Sequence, residues 1–176
     1  MIEVISIFDI IKVSVGPSSS HTLGPWKAAL TFVKELKRLD LLSLVDTIHI
    51  ELFGSLAKTG KGHATDVAVI LGLLGHLPET IDTETVPTII TDIHQHHQLK
   101  INDDKIISFD PTTAIQFHKN EILDYHPNGM RIIAKENNQV LLNKTYFSIG
   151  GGFVVEEGEE NPLFNSENNE VMLPFP

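Results

Sequence analysis

Helical and strand periodicities are segregated along this chain, and that segregation limits its fold more than any other property of its 176 residues. Trp26, Ala29, Leu30, Val33, Leu36 and Leu39 recur at helical spacing, while Lys34, Glu35, Lys37 and Arg38 fill the opposite face. Asp46 to Phe53 alternates like a strand, with Ile48, Ile50 and Leu52 facing one way and His49 and Glu51 the other. Ala64 to Gly75 is apolar nearly all round, the pattern of a buried helix. Ser6 to Val13 reads as a short amphipathic helix and Thr85 to about His96 as a further helix with Pro87 in its first turn.

The later part reads as strands: two around Asn102-Asp103-Asp104, then Ala114 to Phe117, Met130 to Ala134 and Leu141 to Ile149. Asp103-Asp104 and Asn137-Asn138 suit hairpin turns, because Asn and Asp tolerate left-handed backbone. Gly54 to Gly62 reads as a glycine-punctuated basic loop, and Gly150-Gly151-Gly152 as a backbone hinge or close-approach site after the last strand. Helices early and strands late predict an α+β fold: a two-layer sandwich of helices on a mixed, largely antiparallel sheet.

The length suits one domain with a single substantial core. From Glu156 the chain turns polar and acidic before Met172-Leu-Pro-Phe-Pro176, which reads as a linker to something else. Thirteen Lys and Arg against 23 Asp and Glu give a formal charge of −10, which disfavours nucleic acid and anionic membrane surfaces as partners. No apolar run approaches the ~20 residues of a membrane span. No secretory signal opens the chain, so a cytoplasmic location is expected. Cysteine is absent, which removes disulfides, thiol catalysis and Cys-ligated clusters from this chain.

Residues 16–25, Gly-Pro-Ser-Ser-Ser-His-Thr-Leu-Gly-Pro, carry three consecutive hydroxyls and a histidine at a helix start. Hydroxyls donate and accept hydrogen bonds, and the first turn of a helix has unpaired N–H groups and a partial positive charge. Ser18, Ser19, Ser20, His21 and Thr22 therefore make a candidate site for a small anion such as a carboxylate. The plain structural alternative is that Ser20 or Thr22 only caps the helix.

The second candidate is Gly54-Ser-Leu-Ala-Lys-Thr-Gly-Lys-Gly-His-Ala-Thr-Asp66. It is no P-loop: five residues separate Gly54 from Gly60 where that motif has four, and Gly62 stands where Ser or Thr should hold magnesium. Lys58 and Lys61 could attract an anion, and a helix entrance favours the neutral, basic form of His63. His126 in Tyr125-His-Pro-Asn-Gly-Met130 reads on its own as a histidine in a turn. His94, His96 and His97 lack a matching carboxylate spacing and read as solvated, so no metal site is expected.

Together, Phe8-Asp9-Ile10, the 16–25 run, Gly54 to Asp66, His126-Pro-Asn-Gly-Met130 and Ser148-Ile-Gly-Gly-Gly-Phe-Val-Val155 resemble the β domain of bacterial iron-sulfur L-serine dehydratases. The resemblance spans about residues 5–155; Trp26, Ala64 and Val67 depart from it, standing where Met, Gly and a basic residue are usual. It implies conversion of L-serine to pyruvate and ammonia with a 4Fe-4S cluster held by cysteines of an α domain or α subunit. Residues 1–155 would then be the β-type domain, and 156–176 an acidic linker toward an α domain this chain lacks.

The resemblance further implies a fold like the allosteric substrate-binding domain of some phosphoglycerate dehydrogenases, and a homodimer in the whole enzyme. It places Ser18 to Thr22 at the substrate carboxylate and His63, His126 and Asn128 near the reacting centre; Lys61, by its own charge, is expected to draw in the anion. Either histidine could be the base that removes the α-proton, with His63 favoured; a serine of the 18–20 run is the remaining candidate. The rival expectation is a non-catalytic regulatory module that binds a small anion or amino acid, which would need no His63 and His126 pair.

Overall fold

A computed structural model of the chain describes residues 18–159. The expected helix over Ser6 to Val13 and the Met172 to Pro176 segment lie outside the described residues. One π-type turn, Ser19–Leu23, leads directly into helix α1, Gly24–Arg38. Pro25 suits the first turn of α1, where its missing N–H costs nothing, and Lys37 and Arg38 complement the dipole at the other end. Strand β1, Thr47–Phe53, follows, then a short helix α2, Gly54–Thr59, a 3₁₀ turn at Gly60–His63 and helix α3, Thr65–Leu73.

The stretch from Gly54 to Gly62 is therefore helical rather than a loop. Leu56 and Ala57 turn inward onto the core and supply the burial that the glycines at either end obscure. Helix α4, Val86–His96, precedes a separate hairpin of β2, Gln98–Ile101, and β3, Lys105–Ser108. A single helical turn α5, Pro111–Ala114, then runs into β4, Ile115–His118. The chain continues with β5, Gly129–Glu136, β6, Gln139–Gly150, and β7, Phe153–Glu156.

Gly150-Gly151-Gly152 thus precedes the last strand, and the close approach expected there is met at Gly152, where a Cβ would fall 2.5 Å from Leu23 Cδ2. All three glycines have positive φ, and they turn β6 back so that β7 pairs antiparallel with its end. The four residues of β7 are too few to show a strand period, which is why it escapes a reading by alternation.

The main sheet has the order β4-β1-β5-β6-β7. Only β4 with β1 is parallel; every other neighbouring pair is antiparallel. The fold is the expected α+β arrangement. One face of the sheet, with Ile48, Ile50, Leu52, Ile132 and Tyr146, shares a core with Phe32, Val33 and Leu36 of α1 and Val69, Ile70 and Leu73 of α3. Each large apolar side chain removed from water there contributes about 1.5–3 kcal/mol. The opposite face is mixed: Arg131 Nη1 pairs with Glu51 Oε2 at 3.0 Å and Arg131 Nε reaches Thr145 Oγ1 at 3.4 Å, beside the buried rings of Phe53 and Phe147.

Helices α1 and α3 are locked at their upper ends by Trp26. Its ring is fully buried against Leu30, Ala68, Leu71 and Val86, and Nε1 donates to the His76 carbonyl at 2.7 Å. This contact fixes the start of α1 against the far end of α3 and the turn that follows it.

Candidate functional site

Ser18 is extended, with φ −140° and ψ 126°, and its Oγ accepts the His21 N–H at 3.2 Å while its carbonyl accepts the Thr22 N–H at 3.0 Å. The cap is thus Ser18, not Ser20 or Thr22. The wider π-type turn starts the helical segment earlier than an α-helical register would.

The next hydroxyls and rings form a chain of contacts. Ser20 Oγ lies 3.4 Å from Ser18 Oγ and 2.9 Å from His21 Nδ1, and His21 Nε2 lies 2.8 Å from Ser55 Oγ in α2. The His21 and His63 rings face each other with centroids 4.9 Å apart. Two reciprocal bonds hold this pair from behind: Thr22 Oγ1 donates to the His63 carbonyl at 2.9 Å, and Thr65 Oγ1 donates to the His21 carbonyl at 2.6 Å. Both threonines are buried, so the Thr22 hydroxyl proton is committed to the scaffold. Ser19 is exposed.

His63 ends the 3₁₀ turn, and its Nδ1 lies 2.9 Å from the Thr59 carbonyl. A carbonyl only accepts, so Nδ1 carries the proton and the neutral ring presents a bare Nε2. Ala64, next in the chain, adopts left-handed backbone at φ 53°, which separates the 3₁₀ turn from α3 and turns His63 toward His21. At His126 the pattern is reversed. Its Nδ1 accepts the Asn128 N–H at 3.1 Å, so the neutral ring carries its proton on Nε2. Asn128 is buried; its Nδ2 donates to the Ser148 carbonyl and its own carbonyl accepts the Ser148 N–H, both at 3.0 Å.

The two halves meet at the start of α2. Gly54 N–H donates to the Glu121 carbonyl and Ser55 N–H to the Pro127 carbonyl, each at 2.8 Å. Gly54 has φ +53°, and a Cβ there would fall 2.2 Å from the Pro127 oxygen, so only glycine lets β1 turn into α2 this close to the His126 turn. The structure thus brings Ser18, Ser20, His21, Thr22 and His63 into direct contact and sets His126 and Asn128 on the adjoining turn. Lys61 is exposed, with Nζ 5.4 Å from the Phe117 ring centroid on β4, and makes a cation–π contact instead of joining the hydroxyl chain.

Burial lowers the pKa of His21 below its usual value, the neighbouring His63 lowers it further, and a hydrogen bond to the Ser55 backbone works against both. Burial likewise lowers the pKa of His126. Both shifts favour the neutral imidazole of His21 and of His126 near pH 7, and the Ser18 and Ser20 hydroxyls beside His21 can donate to an anion. Ser55 and Thr65 escape a sequence reading: each is one polar residue beside a glycine or at a helix start, and only the fold brings them to His21.

Among the described residues no group of three or more His, Asp or Glu is poised to hold a metal ion, and the sequence has no cysteine. The donor set of this chain does not fit an iron-sulfur cluster, whose irons are ordinarily held by thiolates. No helix among the described residues is long and apolar enough to cross a membrane.

Residues 6–159 match the family described as serine dehydratase beta chain. The chain is 42% identical over 173 residues to L-serine dehydratase 2 of Escherichia coli, covering 98% of this chain and 37% of that protein. It is 42% identical over 174 residues to an L-serine dehydratase of Haemophilus influenzae, with 98% and 37% covered. Against an L-serine dehydratase of Mycobacterium tuberculosis the identity is 43% over 155 residues, covering 87% of this chain and 33% of that protein. The chain thus spans about a third of the length of these relatives.

Proposed function

The chain belongs to the serine dehydratase beta chain family, and from that premise we propose that it is the part of an L-serine dehydratase that grips the substrate and moves its protons. The observation that carries this reading is that the two Nδ1 atoms have opposite partners: the Thr59 carbonyl at His63, which leaves Nε2 bare in the neutral tautomer, and the Asn128 N–H at His126, which puts the proton on Nε2. An elimination needs one group to take a proton and another to give a hydrogen bond or a proton. A module that only bound an anion would need neither.

In this reading the L-serine carboxylate docks on the Ser18, Ser19 and Ser20 hydroxyls, with Lys61 contributing long-range attraction. His63 Nε2 takes the α-proton. The electron pair left on Cα forms the Cα–Cβ double bond as the Cβ–O bond breaks, and the departing hydroxide gains a proton to leave as water. The enamine product rearranges to an imine and hydrolyses to pyruvate and ammonia. His126 Nε2–H, held in place by Asn128, orients the substrate or assists the leaving oxygen.

A 4Fe-4S cluster would act as Lewis acid toward that oxygen, and its thiolate ligands belong to an α part, either fused or separate. Residues 1–155 form the β-type domain, 156–176 the acidic connection toward the α part, and the complete enzyme is a homodimer. Single Ser18→Ala, Ser19→Ala and Ser20→Ala variants of the complete enzyme test the docking site. Each lost charge-assisted hydrogen bond costs about 1.5–3 kcal/mol, so KM for L-serine should rise about tenfold or more in at least one. Unchanged kinetics in all three would reduce the run to a helix cap.

A further inference from the structure

Among the described residues, Ser55 bonds to both halves of the site. Its Oγ lies 2.8 Å from His21 Nε2, its N–H donates to the Pro127 carbonyl at 2.8 Å, and its carbonyl accepts the Thr59 hydroxyl at 3.0 Å. Thr59 in turn carries the carbonyl that faces His63 Nδ1. Ser55 is half-buried, and its backbone is fixed by the left-handed Gly54 that precedes it.

We propose that Ser55 is a positioning residue for the anion site: its hydroxyl fixes the plane and tautomer of His21, and through His21 Nδ1 it aims the Ser20 hydroxyl at the substrate carboxylate. The inference rests on the proposed docking of that carboxylate at Ser18 to Ser20. A neutral imidazole has one donor and one acceptor nitrogen. His21 has a hydroxyl on each, so the proton arrangement at Ser55 dictates the one at Ser20. If the Ser55 hydroxyl is removed, Nε2 loses its side-chain partner and keeps only the Ser55 backbone, the ring gains freedom to exchange tautomers, and Ser20 no longer has a fixed direction for its O–H. Ser55 itself need not touch substrate, because its single hydroxyl is engaged with the ring.

The test compares Ser55→Ala, Ser55→Thr, Ser20→Ala and the Ser20→Ala/Ser55→Ala double variant in the complete enzyme. Losing one hydrogen bond to a group that aligns a charged ligand predicts a KM rise of about tenfold in Ser55→Ala, with kcat changing less. Ser55→Thr, which keeps the hydroxyl, should restore KM to near the original value. In the double variant KM should be no worse than in Ser20→Ala alone, because the two act through one path. Nitrogen chemical shifts of the His21 ring in the full chain give a second readout: one tautomer in the original chain and in Ser55→Thr, and averaged shifts in Ser55→Ala. An unchanged KM in Ser55→Ala beside a raised KM in Ser20→Ala would overturn the inference and leave the docking site standing. Unchanged KM in both would overturn the docking site as well. A Ser55→Thr variant as impaired as Ser55→Ala, or a His21 ring that keeps a single tautomer in Ser55→Ala, would also overturn it.

Discussion

The imidazoles of His21 and His63 stand 4.9 Å apart between centroids and tilted by 36°. At that separation a proton on one ring disfavours a proton on the other. His63→Ala removes this repulsion and also opens His21 to water, two effects of the same sign, so the pKa of His21 should rise. A proton NMR titration of the His21 ring in the full chain reads this directly. A fall, or no change, would show that the rings are not electrostatically coupled.

Acid stability follows from the same burial. Burial lowers the pKa values of His21, His49 and His126 below the ordinary 6.5 of the unfolded chain. Between those lowered values and 6.5 the unfolded state binds more protons than the folded one, so stability rises with pH there. It is at its full value above about pH 6.5 and declines as pH falls below it. The urea midpoint should therefore drop between about pH 7.5 and about pH 5.5, before most carboxylates protonate. A midpoint that held or rose over that interval would be inconsistent with the burial of these rings.

Ala64 has φ 53° and ψ 37°, a left-handed conformation that costs an L-residue about 1–2 kcal/mol. Glycine there releases that strain but loses about 0.4–1 kcal/mol through the greater freedom of the unfolded chain. Ala64→Gly should thus raise stability slightly, by about 1.6 kcal/mol at most, and Ala64→Val should lower it. Thermal melts of the two variants check the order; a destabilised Ala64→Gly would mean the bend is held by something other than local backbone preference.

Gly54→Ala should do the reverse. Its left-handed backbone and the Pro127 oxygen, 2.2 Å from where a Cβ would sit, leave no room for a methyl group. The backbone strain alone is worth about 1–3 kcal/mol, and relief by movement would pull Ser55 away from Pro127. Loss of several degrees in Tm together with a weakened response to L-serine in the complete enzyme is expected, and a variant indistinguishable from the original would remove this contact as a constraint on the site.

Periodicity made most of the scaffold legible. The apolar stripe from Trp26 to Leu39 and the alternation of Ile48, Ile50 and Leu52 each report burial on one side, and the structure buries them there except Leu39, which lies past the end of the helix and is exposed. The short pieces stayed hidden for a physical reason. α2 and β7 have six and four residues, less than the span over which a period repeats, and tertiary pairing rather than local preference forms them. In the site, the hydroxyl run and the histidines stand out by composition. Ser55 and Thr65 do not, because their value lies in contacts across 34 and 44 residues of chain. His126 is an ordinary turn residue until its Nδ1 is seen to accept from Asn128.

The role of His63 as the base is measured most directly by exchange of the α-hydrogen of L-serine with solvent, followed beside pyruvate formation in the complete enzyme carrying His63→Ala or His126→Ala. A positioned general base contributes about 10²- to 10⁴-fold, so His63→Ala should lose both exchange and pyruvate by that order with little change in KM, while His126→Ala should retain more exchange than pyruvate formation. Near-normal exchange and turnover in His63→Ala would contradict the assignment and pass the role of base to His126 or to a serine of the 18–20 run.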